Sequence, residues 1–196
     1  MLVTVSVVGY LLGSIPVANL VARRRAQVDL REVGDRNPGY WNAKETLGRR
    51  QALWVFVGDV AKGALAAGVA LALAGPEQWW LAYVATGAAM VGHAFPAFSG
   101  FRGGRSVLTF VGGVLVFAPV SAAISIAVVL VVTAATRNFA IAARAGIVAL
   151  PFIQIAVDGP FRTAATGVLM TFIGLRFAQA WWTASRTPDP ARSAEV

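Results

Sequence analysis

Residues 106–136 read SVLTFVGGVLVFAPVSAAISIAVVLVVTAAT, an uncharged apolar run with one proline near its middle. As a single helix it is longer than the about 20 residues that cross a hydrocarbon core, and Pro119 would interrupt it. Read as a hairpin at Ala118-Pro119, its first arm, residues 107–117, is short of a full crossing at about 1.5 Å per residue. Charge decides between the two. With the hairpin, segments 23–50, 100–105, 136–138 and 183–196 share one side, and Arg162 alone of the loop cations lies opposite. With a single helix, Arg137, Arg186 and Arg192 would cross over. The positive-inside bias selects the hairpin, with an N-terminus outside and a C-terminus in the cytoplasm.

Working outward, apolar segments cover residues 2–22, 51–74 and 79–99 before this run, and 139–157 and 163–182 after it. Trp79-Trp80 and Trp181-Trp182 stand where interfacial aromatic belts belong. The reading is an all-α, polytopic membrane helix bundle of seven segments, one of them short. It forms a single domain over 1–183, with a tail at 184–196 expected to be disordered. The first segment lacks a basic n-region and a cleavage site, so it reads as a retained helix. Composition agrees: 57% of residues are hydrophobic and 13% charged, against about 25% charged in soluble domains.

Cysteine is absent and His93 is the single histidine. That excludes disulfides, thiolate nucleophiles and a His-rich metal site, and no metal or cofactor is expected. The net charge of +8 sits beside apolar spans, where it meets membrane lipid heads and not nucleic acid.

Asp59 and Lys62 are ionisable residues inside a span, which are costly and usually functional. Their i,i+3 spacing lets them pair on one helix face, as a structural ion pair or as part of a site. The segment 23–50 holds eight Arg/Lys and four Asp/Glu, and it is long for a connector. Within it, Gly34-Asp35-Arg36-Asn37-Pro38-Gly39, then Asn42, Lys44 and Glu45, suggest a tight turn with N–H groups facing an anion. Phe101-Arg102-Gly103-Gly104-Arg105-Ser106 is the sharper signal. Glycines allow close backbone approach to a phosphate, and two arginines supply charge just before a helix. His93 reads as a hydrogen-bonded residue nearby. The candidate phosphate-binding set is therefore Arg36, Asn37, Gly39, Asn42, Lys44, Arg102, Gly103, Gly104 and Arg105, with Asp35, Glu45, Asp59, Lys62 and His93 supporting.

These motifs carry a resemblance. Gly13-Ser14-Ile15-Pro16, Asn37-Pro38-Gly39-x-x-Asn42, Asp59-x-x-Lys62-Gly63 and Gly92-His93-x-Phe95-Pro96-x-Phe98-x-x-Phe101-Arg102-Gly103-Gly104-Arg105 resemble the bacterial acyl-phosphate-dependent glycerol-3-phosphate acyltransferases of the PlsY type. The match runs in order from about residue 9 to 110. The resemblance implies a seven-helix inner-membrane protein that moves an acyl chain from acyl phosphate to glycerol 3-phosphate. The product would be lysophosphatidate, made without metal or coenzyme A. It further implies that the substrate's own phosphate assists the reaction.

Departures accompany the match. Asp35, Arg36, Tyr40-Trp41 and Glu45 stand where the family typically has serine, glycine, Ala-Thr and arginine. Arg102 and Arg105 replace two lysines. Ala143, beside Arg144, stands at a serine position. Arg176-Phe177-Ala178-Gln179-Ala180 replaces Arg-His-Arg-Glu-Asn. A carboxylate beside a phosphate dianion is repulsive by on the order of several kcal/mol in a partly desolvated site, and Arg36 and Lys44 lie next to the two acidic replacements. Three readings stand at this point: an acyltransferase of this family, a paralogue that binds lipid or acyl phosphate without turnover, and a small transporter or scaffold bundle. A transporter would string polar residues through several spans, whereas here they gather on one membrane face.

Overall fold

The computed structural model describes residues 1–186, so most of the expected tail, residues 187–196, lies outside the described residues. Among the described residues nine α-helices follow one another: α1 Leu2–Gly13, α2 Val17–Ala26, α3 Tyr40–Leu47, α4 Arg49–Ala74, α5 Trp80–Ala94, α6 Val107–Phe117, α7 Pro119–Thr136, α8 Phe139–Val157 and α9 Pro160–Arg186. The chain is an all-helical polytopic membrane bundle. Five stretches are long and apolar enough to cross a membrane: Leu2–Ala26, Arg49–Ala74, Trp80–Ser99, Pro119–Thr136 and Phe139–Val157. Helix α6 is a shorter apolar helix. Helix α9 is longer, but Arg162, Arg176 and Gln179 leave it less apolar. The run at 106–136 does break at Ala118, with Pro119 opening α7, where its missing N–H has no helical partner to lose.

Apolar side chains face outward as well as inward. Leu130, Val131 and Phe152 are 65%, 68% and 72% exposed, as expected where lipid and not water surrounds the helices. Inside, small residues let backbones meet. A methyl placed on Gly9 or Gly13 would lie 2.4 or 2.0 Å from the carbonyl oxygens of Ala85 or Ala89, which seats α1 directly on α5. Gly63 and Gly112 do the same for α4 against α6, with methyl positions 1.8 and 1.9 Å from the oxygens of Thr109 and Val60. This is the small-residue packing of membrane helices, where dispersion replaces the hydrophobic drive. Some polar groups pair across the bundle, as Ser121 Oγ donating to Asp158 Oδ2 at 2.6 Å and Gln154 Nε2 donating to Tyr83 Oη at 3.1 Å.

The first apolar segment is not one straight helix. It breaks at Ser14-Ile15-Pro16 between α1 and α2, because Pro16 offers no N–H to continue the ladder. That break sits beside the site.

Candidate functional site

The break between α1 and α2 frees backbone carbonyls, and one of them finds a cation. Lys62 Nζ donates to Ile15 O at 3.3 Å and lies 2.9 Å from Asp59 Oδ1. His93 Nδ1 approaches the same oxygen at 3.6 Å, beyond hydrogen-bond length. The Lys62 contact is an ion pair without hydrogen-bond alignment, which leaves Asp59 Oδ1 short of a true donor. All three side chains are buried. Such a pair is costly to desolvate, and removing either member leaves an uncompensated charge.

Above it lies the glycine-rich loop. Gly103 N–H donates to Ala94 O at 3.0 Å and Gly104 N–H to His93 O at 3.1 Å, satisfying carbonyls at the end of α5. A methyl on Gly103 would fall 2.0 Å from His93 O, and one on Gly104 would fall 2.3 Å from His93 Nε2. Backbone oxygens close the space at 103 to all but glycine, whereas at 104 the His93 ring would have to shift. Ser106, with φ +64°, turns the chain into α6 and donates from Oγ to Met90 O at 2.7 Å.

The second loop, residues 27–39, is shaped by two buried amides. Asn19 Oδ1 accepts from Leu30 N–H at 3.1 Å, and Asn42 Nδ2 donates to Leu30 O and Val33 O, both at 2.9 Å. Asn42 Oδ1 accepts from Thr46 Oγ1 at 3.1 Å. Asn42 thus shapes the loop from within and presents no amide to a ligand. Asp29 and Arg31 form a two-pronged pair at 2.9 and 2.5 Å, and Arg31 Nη1 reaches across to Ser99 O at 2.8 Å. The hydrogen bond from Arg31 holds the Asp29 carboxyl well below the usual carboxylate range, and the carboxylate in turn raises Arg31. At the tip, Asp35 Oδ1 accepts from Asn37 N–H at 3.1 Å while Asp35 Oδ2 lies 3.2 Å from Arg105 Nη1.

Two clefts open where the loops meet. One is narrow, about 20 Å³ and so roomy enough for about one water, and runs from the α1–α2 break past Asp59, Lys62 and His93 to Arg102, Gly103 and Gly104. The other, about 240 Å³, is lined by Arg31, Arg36, Arg102, Arg176, Phe95, Phe101 and Gln179, among others. They share Pro38, Arg102 and Gly103. The larger cleft holds four guanidinium groups and no carboxylate among its lining residues, a concentration of donors suited to a phosphate. Arg176 stacks over Phe95 at 4.7 Å, pairs with Gln179, and points Nη2 at Gly104 O, 3.4 Å away.

The expected residues divide accordingly. Arg36, Arg102, Gly103, Gly104, Asp59, Lys62 and His93 line one or both clefts. Asn37, Gly39 and Arg105 belong to the two loops without lining either cleft, and Arg105 packs on Phe177 at 4.8 Å. Lys44 lies over the Trp41 ring at 4.8 Å on α3, and exposed Glu45 lies in the next position, both away from the clefts. Arg31, Arg176 and Gln179 were not among the expected set. The Asp29-x-Arg31 spacing was a usable signal for the first, whereas α9 reaches the site only through the tertiary fold. Among the described residues, no three His, Asp or Glu gather as metal ligands.

The family model that matches over residues 3–183 is that of glycerol-3-phosphate acyltransferase. The chain belongs to the glycerol-3-phosphate acyltransferase family. It is 37% identical over 158 residues to the glycerol-3-phosphate acyltransferase of Clostridioides difficile (strain 630), covering 79% of this chain and 78% of that one. It is 41% identical over 149 residues to glycerol-3-phosphate acyltransferase 3 of Dehalococcoides mccartyi (strain ATCC BAA-2266 / KCTC 15142 / 195), covering 71% and 68%. The fold superposes on crystalline PlsY (YgiH), an integral membrane glycerol 3-phosphate acyltransferase in its glycerol 3-phosphate form. That match has a TM-score of 0.78 and 27% identity over 98% of both chains. This chain is accordingly an integral, multi-pass membrane glycerol-3-phosphate acyltransferase.

Proposed function

We propose that this acyltransferase moves an acyl chain from acyl phosphate to glycerol 3-phosphate, releasing lysophosphatidate and inorganic phosphate, at the cytoplasmic face of a bacterial inner membrane. The observation that carries the reading is the junction of two clefts over the Gly103-Gly104 backbone, with Arg102 common to both. The phosphates of both substrates can then gather in the larger cleft around Arg102, with the narrow cleft leading on toward the Asp59–Lys62 pair. The acceptor hydroxyl attacks the acyl carbonyl carbon, the bond from that carbon to the phosphate oxygen breaks, and the departing phosphate takes the hydroxyl proton. His93 supports the loop from behind through its carbonyl and is turned toward Asp59, so the protein's part is positioning and charge.

In this reading Arg36, Arg102 and Arg176 bind phosphate, Gly103 and Gly104 supply the cradle, and Asn42, Asp59 and Lys62 hold its supports. Seven membrane segments, with the N-terminus outside, bring both loops to the cytoplasm. Support comes from the charge bias and from the break at Ala118. The site is a re-formed version of the family's. Asp35, Glu45, Ala143, Phe177 and Ala180 replace polar or basic groups, while Arg36 adds guanidinium charge beside the retained Arg176 at the larger cleft. The test is acyl transfer by the purified protein, given acyl phosphate and glycerol 3-phosphate. Saturable acyl-phosphate binding without turnover would refute the enzyme reading. Single cysteines at positions 36 and 159 should label from opposite membrane sides, and labelling from one side would remove the proposed topology.

A further inference from the structure

We propose that Asp35 competes with the substrate phosphate for Arg105 and thereby sets the selectivity of the site among anions. The inference rests on reading the glycine-rich loop as phosphate-handling. Arg105 closes that loop next to the larger cleft, near the cleft-lining Arg176, but does not line it, because its guanidinium Nη1 is drawn to Asp35 Oδ2, 3.2 Å away on the facing loop. The pairing is not incidental to a crowded surface. Arg105 is otherwise packed on Phe177 and its Nε is buried without a hydrogen-bond partner, so Asp35 is its sole ionic partner among the described residues. Asp35 is held in place from behind, because its other oxygen accepts the Asn37 N–H at 3.1 Å.

A carboxylate and a phosphate use a guanidinium in the same way, through charge-assisted bonds to a pair of oxygens. One edge of Arg105 cannot serve both at once. A ligand gains Arg105 only if its oxygens bind better than a single carboxylate does, which favours a phosphate dianion over a carboxylate or a monoanion. The neighbouring Arg36 and Arg102, which line the larger cleft, supply the extra attraction that a dianion needs. The carboxylate is 41% exposed, so water can receive it once it is displaced, and the exchange is a modest cost and not a block.

The test uses the full chain in nanodiscs, with inorganic phosphate as the probe and calorimetry as the readout. Asp35→Asn keeps the oxygen that accepts from Asn37 N–H and removes only the charge. The variant should bind phosphate about two- to fivefold tighter, the range that an exposed ion pair spans. Glu32→Gln, an exposed acid of the same loop, should leave binding unchanged, and the gain should vanish in Asp35→Asn/Arg105→Ala. Equal or weaker binding by Asp35→Asn overturns the proposal, as does a gain that survives loss of Arg105. In turnover assays, a lower KM for glycerol 3-phosphate assigns Arg105 to the acceptor, and a lower KM for acyl phosphate assigns it to the donor. Absence of turnover in every protein would count against acyl transfer alone, since the phosphate-binding comparison stands without it.

Discussion

A methyl group on Gly103 tests the proposal that the glycine loop cradles phosphate. In Gly103→Ala the new carbon would lie 2.0 Å from His93 O, where ordinary contact begins near 3.4 Å, so about 1.4 Å of movement is required (3.4 − 2.0). Pro96 Cδ at 2.7 Å and Ala94 O at 2.9 Å block the neighbouring directions. Overpacking of this kind costs about 1–3 kcal/mol. Lifting the loop forfeits the bonds from Gly103 N–H and Gly104 N–H, each worth about 1 kcal/mol. The total, roughly 3–5 kcal/mol, is at or below the about 5–15 kcal/mol that holds a whole domain folded. The loop therefore leaves its seat while the bundle stays intact. Displacing a substrate-positioning group by about 1 Å costs on the order of a hundredfold in rate, so kcat/KM should fall about that much. Helical circular dichroism should persist while the melting temperature drops by about 6–20 °C. Gly100→Ala is the control. Nothing lies within 4 Å of its methyl position and only its φ of +62° resists, a strain of about 1 kcal/mol. Activity within threefold of wild type in Gly103→Ala, with the helices intact, would refute the cradle.

Other perturbations test the supports. Lys62→Met isolates the Asp59 carboxylate inside the bundle and should lower stability by about 3–5 kcal/mol in detergent denaturation, with most of it recovered in Asp59→Asn/Lys62→Met; equal stability of the single and double variants would count against a buried charge pair. Arg36 has φ +55°, so Arg36→Gly should relieve about 1 kcal/mol of left-handed strain. Its melting temperature should rise while KM for a phosphorylated substrate worsens, and a better KM would remove Arg36 from the cleft's function. The Asp29 carboxyl is depressed from its ordinary 3.8, chiefly by the Arg31 hydrogen bond. Its contribution is therefore present above about pH 4 and lost as pH falls through the lowered folded value. Wild type and Asp29→Asn should differ in melting temperature by a constant amount from pH 5 to 7, with the gap closing only below pH 4. A gap that closes between pH 6 and 5 would contradict the Asp29–Arg31 clasp.

Much of this protein was legible because hydropathy and proline are local signals. The break at Ala118 follows from Pro119 and the limited length of an apolar helix. The Gly103-Gly104 loop follows from glycines flanked by arginines. Gly13-Ser14-Ile15-Pro16 was legible as a motif, but the helix break there was not, and the freed Ile15 carbonyl matters only because α4 brings Lys62 to it. Asn42 illustrates the converse. Its place in a phosphate-like motif marks it as a ligand, yet its amide faces the loop's own carbonyls and fixes the loop's shape.

The sequence by itself determined a membrane bundle, its helix break at Pro119, and the concentration of charge in two glycine-bearing loops. Each of these depends on neighbours a few residues apart. The tertiary structure alone decided which charges meet: Arg31 with Ser99, Arg105 with Asp35, and Arg176 with the carbonyls of the glycine loop. Those pairings span 68, 70 and 72 positions (99 − 31, 105 − 35, 176 − 104). They depend on how closely α1 sits on α5 and α4 on α6, distances set by backbone contacts at Gly9, Gly13, Gly63 and Gly112. A few ångströms at a helix crossing decide whether an arginine faces a cleft, a ring or a carboxylate, and no local pattern carries that information.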